Sequence, residues 1–187
     1  ISEEEGQLAA MEVIQYALNL AARHREAPMD NITGALLDAE LDGAPISEDM
    51  FGWMFILILV GGNESTRTVI AQGMRLLMEH PDQLQYLVDN PDKVGNACEE
   101  ILRYNTAFIS MRRTATEDTE IGGQQIRKGD KIILHYHAAN HDELVFGEDA
   151  MAFDVTRAER MADLYNQLRS FGIGQHFCIG SHLARLE

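Results

Sequence analysis

Apolar positions along the chain fall first into a helical rhythm and then into an alternating one. "QLAAMEVIQYALNLAARHRE" repeats apolar residues every three to four positions and stops before Pro28, which predicts a helix of about twenty residues. "MDNITGALLDAELDGAPIS" predicts a shorter helix and a turn, punctuated by Asp42-Gly43 and Pro45. Ser47 then stands as a cap before a long pattern, "EDMFGWMFILILVGGNESTRTVIAQGMRLLMEH", that Pro81 closes. Two short helices follow, "PDQLQYLVDN" and "PDKVGNACEEILRY", each with proline in its first turn. Beyond Tyr104 the period changes. "EIGGQQIRKGDKIILHYHAAN" alternates like paired strands, with Gly122-Gly123 as a hairpin turn and Gly129-Asp130 as a second turn. The predicted fold class is mainly α with a small β-sheet. The longest apolar run, Phe51 to Gly62, is too short to span a membrane and reads as buried.

Composition sharpens that picture. A chain of 187 residues with 45% hydrophobic content can bury one substantial core. A net charge of -15 excludes nucleic acid as an expected partner. The charge is uneven: residues 1–50 carry eleven acids against Arg23 and Arg25. The C-terminal stretch from Arg157 holds Arg157, Arg160, Arg169 and Arg185 against Glu159, Asp163 and Glu187. Cys98 and Cys178 are too few for a disulfide framework and point to a reducing cytosol. The chain opens "ISEEEGQL" without methionine or signal segment and stops at "HLARLE" inside a helical pattern. It is therefore expected to be a piece of a longer protein.

Four short motifs carry candidate chemistry. In "FGIGQHFCIG", Gly172, Gly174 and Gly180 let the backbone fold around the Cys178 sulfur, and a helix begins just after it. Cys178 is open to four readings: a disulfide half, a zinc ligand, a nucleophile, or the single ligand of a larger cofactor. A thiolate in such a frame gains from the following helix N-terminus, as an axial ligand to a metal macrocycle requires. In "GGNESTR", Gly61 and Gly62 would cost a helix interior about 1 kcal/mol each, so they call for a reason, such as a flat ligand against the backbone. Glu64 and Ser65 place an acid beside a hydroxyl, a pair suited to relaying protons. The competing reading makes "FILILV" a strand and "GGNES" a phosphate loop, but the glycine spacing and the Ser47 cap favour one long helix. Glu100 and Arg103, three apart in "EEILR", read on spacing alone as a solvated pair. His135 and His137 would share one face of a strand, yet no carboxylate or cysteine completes a metal set with them and His141. They read as structural or surface histidines.

Taken together and in order, these motifs resemble the cytochromes P-450. "FGIGQHFCIG" is similar to that family's heme-binding loop, matching it at Phe171, Gly174, His176, Cys178 and Gly180. "GGNEST" resembles its central distal helix, "EILR" its Glu-x-x-Arg helix, "FDVTR" the segment whose arginine joins that pair, and "RTATED" the segment giving an arginine to a heme propionate. The match runs from Met11 to Glu187 and corresponds to roughly the second half of a soluble bacterial-type member. The domain expectation is thus one partial domain over 1–187 with the cytochrome P-450 fold. Ser65 stands where the family more often has threonine, and "AERMADLYNQLRS" looks longer than in bacterial members.

The resemblance implies a heme-thiolate monooxygenase that inserts one atom of O2 into a C–H bond of a hydrophobic small molecule, a sterol, terpenoid or aliphatic chain. It implies heme b with Cys178 as axial iron ligand, framed by Phe171, Gly172, Gly174 and Gly180. His176 and Arg113 would neutralise propionates, Glu64 and Ser65 deliver protons, and Gly61 and Gly62 make room for oxygen and substrate. Glu100, Arg103 and Arg157 become a structural set, and Val60, Ala107, Phe108, Ile109 and Ser110 line the pocket. Electrons would come from a ferredoxin and its reductase, in the cytoplasm of a bacterium. Two alternatives are a heme-binding sensor without turnover and a peroxide-using hydroxylase of the same fold, which would be expected to lack the acid-alcohol pair.

Overall fold

The computed structural model describes residues 2–187. It divides into two compact units, one ending at Asn63 and one formed by Glu64–Glu187. Helix α3, Glu48–Glu79, begins in the first and ends in the second.

In the first unit, α1 (Glu3–Glu26) starts at a reciprocal cap. The Ser2 hydroxyl accepts from Glu5 N at 3.2 Å while the Glu5 carboxylate accepts from Ser2 N at 2.7 Å. Asn31 caps α2 (Ile32–Leu37), and a two-residue turn at Asp42 and Gly43, both at positive φ, joins β1 (Glu40–Leu41) to β2 (Ala44–Pro45). Ala17 and Ala21 of α1 and Phe51 of α3 form the buried centre, with Leu36, Leu37, Ile46 and Phe55 packed around them. Small residues on α1 let Phe51 fill the space between elements. The buried His24 bridges its surroundings, meeting the Asp38 carboxylate at 3.0 Å and accepting from Met29 N at 3.0 Å.

Helix α3 runs unbroken for 32 residues, with the Ser47 hydroxyl accepting from Met50 N at 3.2 Å. The strand and phosphate-loop reading is excluded. The penalty of two interior glycines is small beside the hydrogen bonds of so long a helix.

The second unit continues with α4 (Pro81–Asp89), a 3-10 turn at Pro91–Lys93, and α5 (Val94–Tyr104). Both prolines sit at helix starts, where their missing N–H has no partner to lose. Strands β3 (Met111–Thr114), β4 (Thr119–Ile121), β5 (Gln124–Ile126) and β6 (Lys131–Leu134) form two antiparallel pairs, β3 with β6 and β4 with β5. The sheet component is therefore small, as the alternation predicts. Its end differs from expectation. The strand stops at Leu134, and His135 caps α6 (Tyr136–Asn140) by accepting from Ala138 N at 3.1 Å. A capping side chain wins over alternation here, so His135 and His137 do not share a strand face.

Short helices α7 (Glu143–Phe146), α8 (Arg157–Arg160) and α9 (Leu164–Gln167) lead to the cysteine segment and to α10 (Ser181–Leu186). Two apolar clusters hold this unit. Leu76, Leu77, Leu87, Ala97, Phe153 and Val155 form one. Leu102, Phe146, Ala150, Leu164 and Leu168 form the other. The segment "AERMADLYNQLRS" thus contributes two buried leucines to the core beneath the cysteine loop. Among the described residues, no helix is long and apolar enough to cross a membrane.

Candidate cofactor and catalytic site

The cysteine loop is shaped by its backbone. Gly172 and Gly174 lie at φ of 73° and 72°, a region that side chains rarely adopt, so glycine is required for the path at both. Gly172 N donates to Arg169 O at 2.9 Å, Phe177 N to Gly174 O at 3.0 Å, and Cys178 N to Phe171 O at 3.0 Å. That last bond closes the loop and ties the cysteine to its opening residue. Gly180 has an ordinary φ of -85°, and a Cβ there would sit 3.9 Å from the Cys178 Sγ. Its smallness leaves the flank of the sulfur open. The Cys178 side chain is half-buried, while Ile173, Phe177 and Ile179 around it are exposed.

Phe171 anchors the loop from below. Its ring lies 6.3 Å from that of Phe177, and the Arg185 guanidinium stands over it at 4.5 Å. Arg185 also covers the Tyr165 ring at 4.2 Å and donates to the Glu99 carboxylate at 2.6 and 3.2 Å. A hollow of about 120 Å³ beside this stack is lined by Tyr165, Arg169, Phe171, Ile173, Phe177 and others. Sequence reasoning missed Arg185, Glu99 and Tyr165. Their contacts join residues far apart in the chain, which local sequence does not reveal.

Behind the loop lies a charged cluster with no solvent contact. Glu100, Arg103 and Arg157 are each 0% exposed. Arg103 grips Glu100 through two bonds, at 2.7 and 2.8 Å, and Arg157 Nε donates to the same carboxylate at 3.1 Å. The remaining donors are matched by backbone carbonyls, apart from one Arg157 Nη1 bond to the Asp149 carboxylate at 3.2 Å. Arg103 reaches Asn140 O at 2.8 Å, Ala150 O at 2.7 Å and Ala152 O at 2.8 Å. Arg157 reaches Phe146 O at 3.2 Å, Asp149 O at 3.0 Å and Ala152 O at 3.0 Å. The reading of Glu100–Arg103 as a solvated pair is overturned, because residues 140–157 fold over it. Burial pushes the Asp149 carboxyl up, but hydrogen bonds from Arg160 and Arg157 outweigh it and hold the group below its ordinary range.

Asn140 adds a second cluster that the sequence did not reveal. It is fully buried, its amide donates to the Thr106 and Ser170 hydroxyls at 2.8 Å each, and its carbonyl accepts from Arg169 N at 2.7 Å.

On α3, a Cβ built on Gly61 or Gly62 would meet nothing within 4 Å, so open space adjoins the helix there. Glu64 is exposed and accepts two bonds from Arg67, at 2.6 and 2.7 Å, while Ser65 is half-buried. Val60 is exposed on the same helix. Ala107 is half-buried and Phe108, Ile109 and Ser110 are exposed in the segment entering β3. Arg113 lies exposed on β3 with a bond to Arg112 O at 3.1 Å, and His176 is exposed in the loop. Cys98, by contrast, sits on α5 where burial, aided by Glu99, pushes its thiol pKa up and disfavours a thiolate. No group of three or more potential metal-ligating side chains occurs among the described residues, so the three histidines form no metal site.

The family model for cytochrome P450 matches residues 3–187. The chain belongs to the cytochrome P450 family. A steroid C26-monooxygenase from Rhodococcus jostii is 41% identical over 183 residues, covering 97% of this chain and 37% of that protein. A linalool 8-monooxygenase from Pseudomonas putida is 42% identical over 176 residues, covering 94% of this chain and 42% of that protein. A Mycobacterium marinum cytochrome P450 solved in complex with pseudoionone is 38% identical with a TM-score of 0.83, covering 94% of this chain and 41% of that one. The chain therefore spans about two fifths of the length of the relatives it matches.

The residues present fit the heme that the family implies. One accessible thiol stands in a loop whose neighbours Phe177 and Ile179 are 44% and 79% exposed, an apolar surface for a flat macrocycle. The exposed guanidinium of Arg113 and the exposed imidazole of His176 offer hydrogen-bond donors to its carboxylates. The single soft ligand, without a set of imidazoles or carboxylates, matches a heme better than an isolated metal ion.

Proposed function

We propose that this chain forms part of the catalytic domain, corresponding to its second half, of a monooxygenase that hydroxylates a hydrophobic small molecule. The observation that carries the reading is the Cys178 loop, closed by its bond to Phe171 and floored by a fully satisfied ion cluster. Heme b, when bound through a cysteine thiolate, would supply the O2 activation that places one oxygen atom in a C–H bond. Cys178 gives the thiolate, and Gly172 and Gly174 set its position. Arg113 and His176 would hold the carboxylates of the group. The Ser65 hydroxyl holds and orients a proton donor on the oxygen side, and Glu64, at the solvent edge with Arg67, renews the proton from water.

Gly61 and Gly62 leave space for oxygen and substrate. Val60, Ala107, Phe108, Ile109 and Ser110 give that space an apolar lining suited to a sterol or terpenoid. The names of the steroid and linalool monooxygenase relatives support that substrate class. Electrons come from a ferredoxin and its reductase, in the bacterial cytoplasm.

The test is the ferrous carbonyl spectrum of the full-length protein. Cys178→Ser abolishes the red-shifted band of a thiolate-ligated heme, and Cys98→Ser leaves it. Loss of the band in Cys98→Ser alone sinks the assignment.

A further inference from the structure

We infer that Asn140 is a positioning residue for the thiolate, setting the register of the cysteine loop against the buried ion cluster; this rests on Cys178 being the heme ligand. The argument begins with burial. Asn140 ends α6 with no exposed surface, and an amide buried without partners is costly. Here every arm is used. The side-chain carbonyl accepts from Arg169 N at 2.7 Å, and the amide donates to Ser170 Oγ and Thr106 Oγ1, each at 2.8 Å. The backbone carbonyl accepts from Arg103 at 2.8 Å.

These partners lie on two segments distant in the chain from α6: the end of α5 with the turn after it, and the two residues before the cysteine loop. Thr106 follows α5 and bonds back to Arg103 O at 3.3 Å. Ser170 donates to Leu102 O at 2.6 Å, so it touches α5 as well. Arg169 and Ser170 immediately precede Phe171, whose carbonyl takes the Cys178 N–H at 3.0 Å. A continuous chain of bonds thus runs from Glu100 through Arg103, Asn140 and Ser170 to the base of the loop. The demand is for an asparagine: aspartate lacks the two donors, and leucine would strand Arg169 N and leave each hydroxyl with only the bond it donates to α5.

A residue that only supports the fold would lower the unfolding temperature and nothing else. A positioning residue changes the thiolate in molecules that are still folded. The decisive measurement is the rate at which the heme-loaded full-length protein loses its thiolate-type carbonyl band. It is followed at one temperature below the unfolding transition, beside helical circular dichroism. Asn140→Ala is expected to speed that loss about tenfold, the effect of leaving a buried donor unpaired. Ser170→Ala, which removes one arm and keeps the Arg169 bond, is expected to speed it less, with helicity unchanged in both.

Parent-like rates in both variants, or loss of the band only in step with loss of helicity, overturn the inference. If Asn140→Ala yields no folded protein, Ser170→Ala decides alone. Absence of a thiolate band in the parent removes the proposed function itself, and this inference with it. Presence of the band in the parent with parent-like variants removes only the inference.

Discussion

Glu64 and Ser65 are neighbours on α3 with different surroundings, and that difference suits them to different tasks in the proposed proton path. The Glu64 carboxylate stands in solvent, held by two bonds from Arg67, while Ser65 is half-buried. A group in solvent can exchange protons with water, and a sheltered hydroxyl can orient a donor but carries no spare proton of its own. Removing the Ser65 hydroxyl leaves Cys178 and the electron-accepting side untouched. In Ser65→Ala, reductant consumption therefore stays near the parent rate while hydrogen peroxide release rises and product falls. Ser65→Thr keeps the hydroxyl and adds a methyl that limits its rotamers, so coupling is at least as good as in the parent. Glu64→Gln slows the whole cycle, because proton supply then limits it. The measurement is product formed per reductant consumed, beside peroxide release, in the full-length enzyme with an accepted substrate. Unchanged coupling in Ser65→Ala removes Ser65 from the proton path.

At the scale of elements, the link between α5 and the strand-free stretch 140–157 decides whether the cysteine loop has a floor. Glu100, Arg103 and Arg157 are wholly buried, and each carbonyl they bind belongs to that stretch. Removing one member of a buried, hydrogen-bonded ion set costs about 3–5 kcal/mol, since the buried charges and polar groups that remain are left under-paired. Glu100→Ala or Arg103→Ala accordingly yields heme-poor, poorly folded protein, read by heme content and thermal unfolding. Well-folded holoprotein with only slower turnover contradicts this. The sequence made part of this arrangement legible. Ser47, Pro81 and Pro91 mark helix starts by local chemistry, and the helical period carries α3 straight through Gly61-Gly62. Glu100 and Arg103 were visible as a pair, but their burial depends on carbonyls far along the chain, which no local pattern encodes. The same holds for Asn140, whose partners Thr106 and Ser170 lie 34 and 30 residues away. The Arg185–Glu99 pair spans 86 residues. His135 is a structural, exposed residue as expected, but its placement in the strand fails for the opposite reason. Alternation persists through it, and only the cap on Ala138 N shows that the strand has ended.

For the whole molecule, surface is the governing quantity. The described chain exposes 12843 Å². Two separate compact bodies of the sizes of its units would expose about 10,700 Å² in all, so the excess does not come merely from dividing the chain. Part of it is apolar and ordered. Ile70, Met74 and Met78 recur every four residues on α3 at 48%, 53% and 72% exposure, and Leu84 and Val88 on α4 are exposed at the same spacing. On the first unit, Trp53 and Leu57 continue the theme at 63% and 71%. A stripe at helical period is the pattern of a face that packs, and monomeric soluble proteins rarely leave such faces bare. The P450 relatives are more than twice as long as this chain, so they have further chain available to cover such faces. The 187-residue chain expressed by itself is therefore expected to self-associate or aggregate and to hold heme weakly. Size-exclusion chromatography with heme quantitation checks this. Met74→Glu together with Met78→Glu should shift the chain toward smaller species without restoring stoichiometric heme, because solubility and heme affinity come from different surfaces. A soluble, monomeric parent chain with one heme per molecule and hydroxylase activity would show that these faces need no cover, and that the thiolate loop and its floor suffice to hold the cofactor.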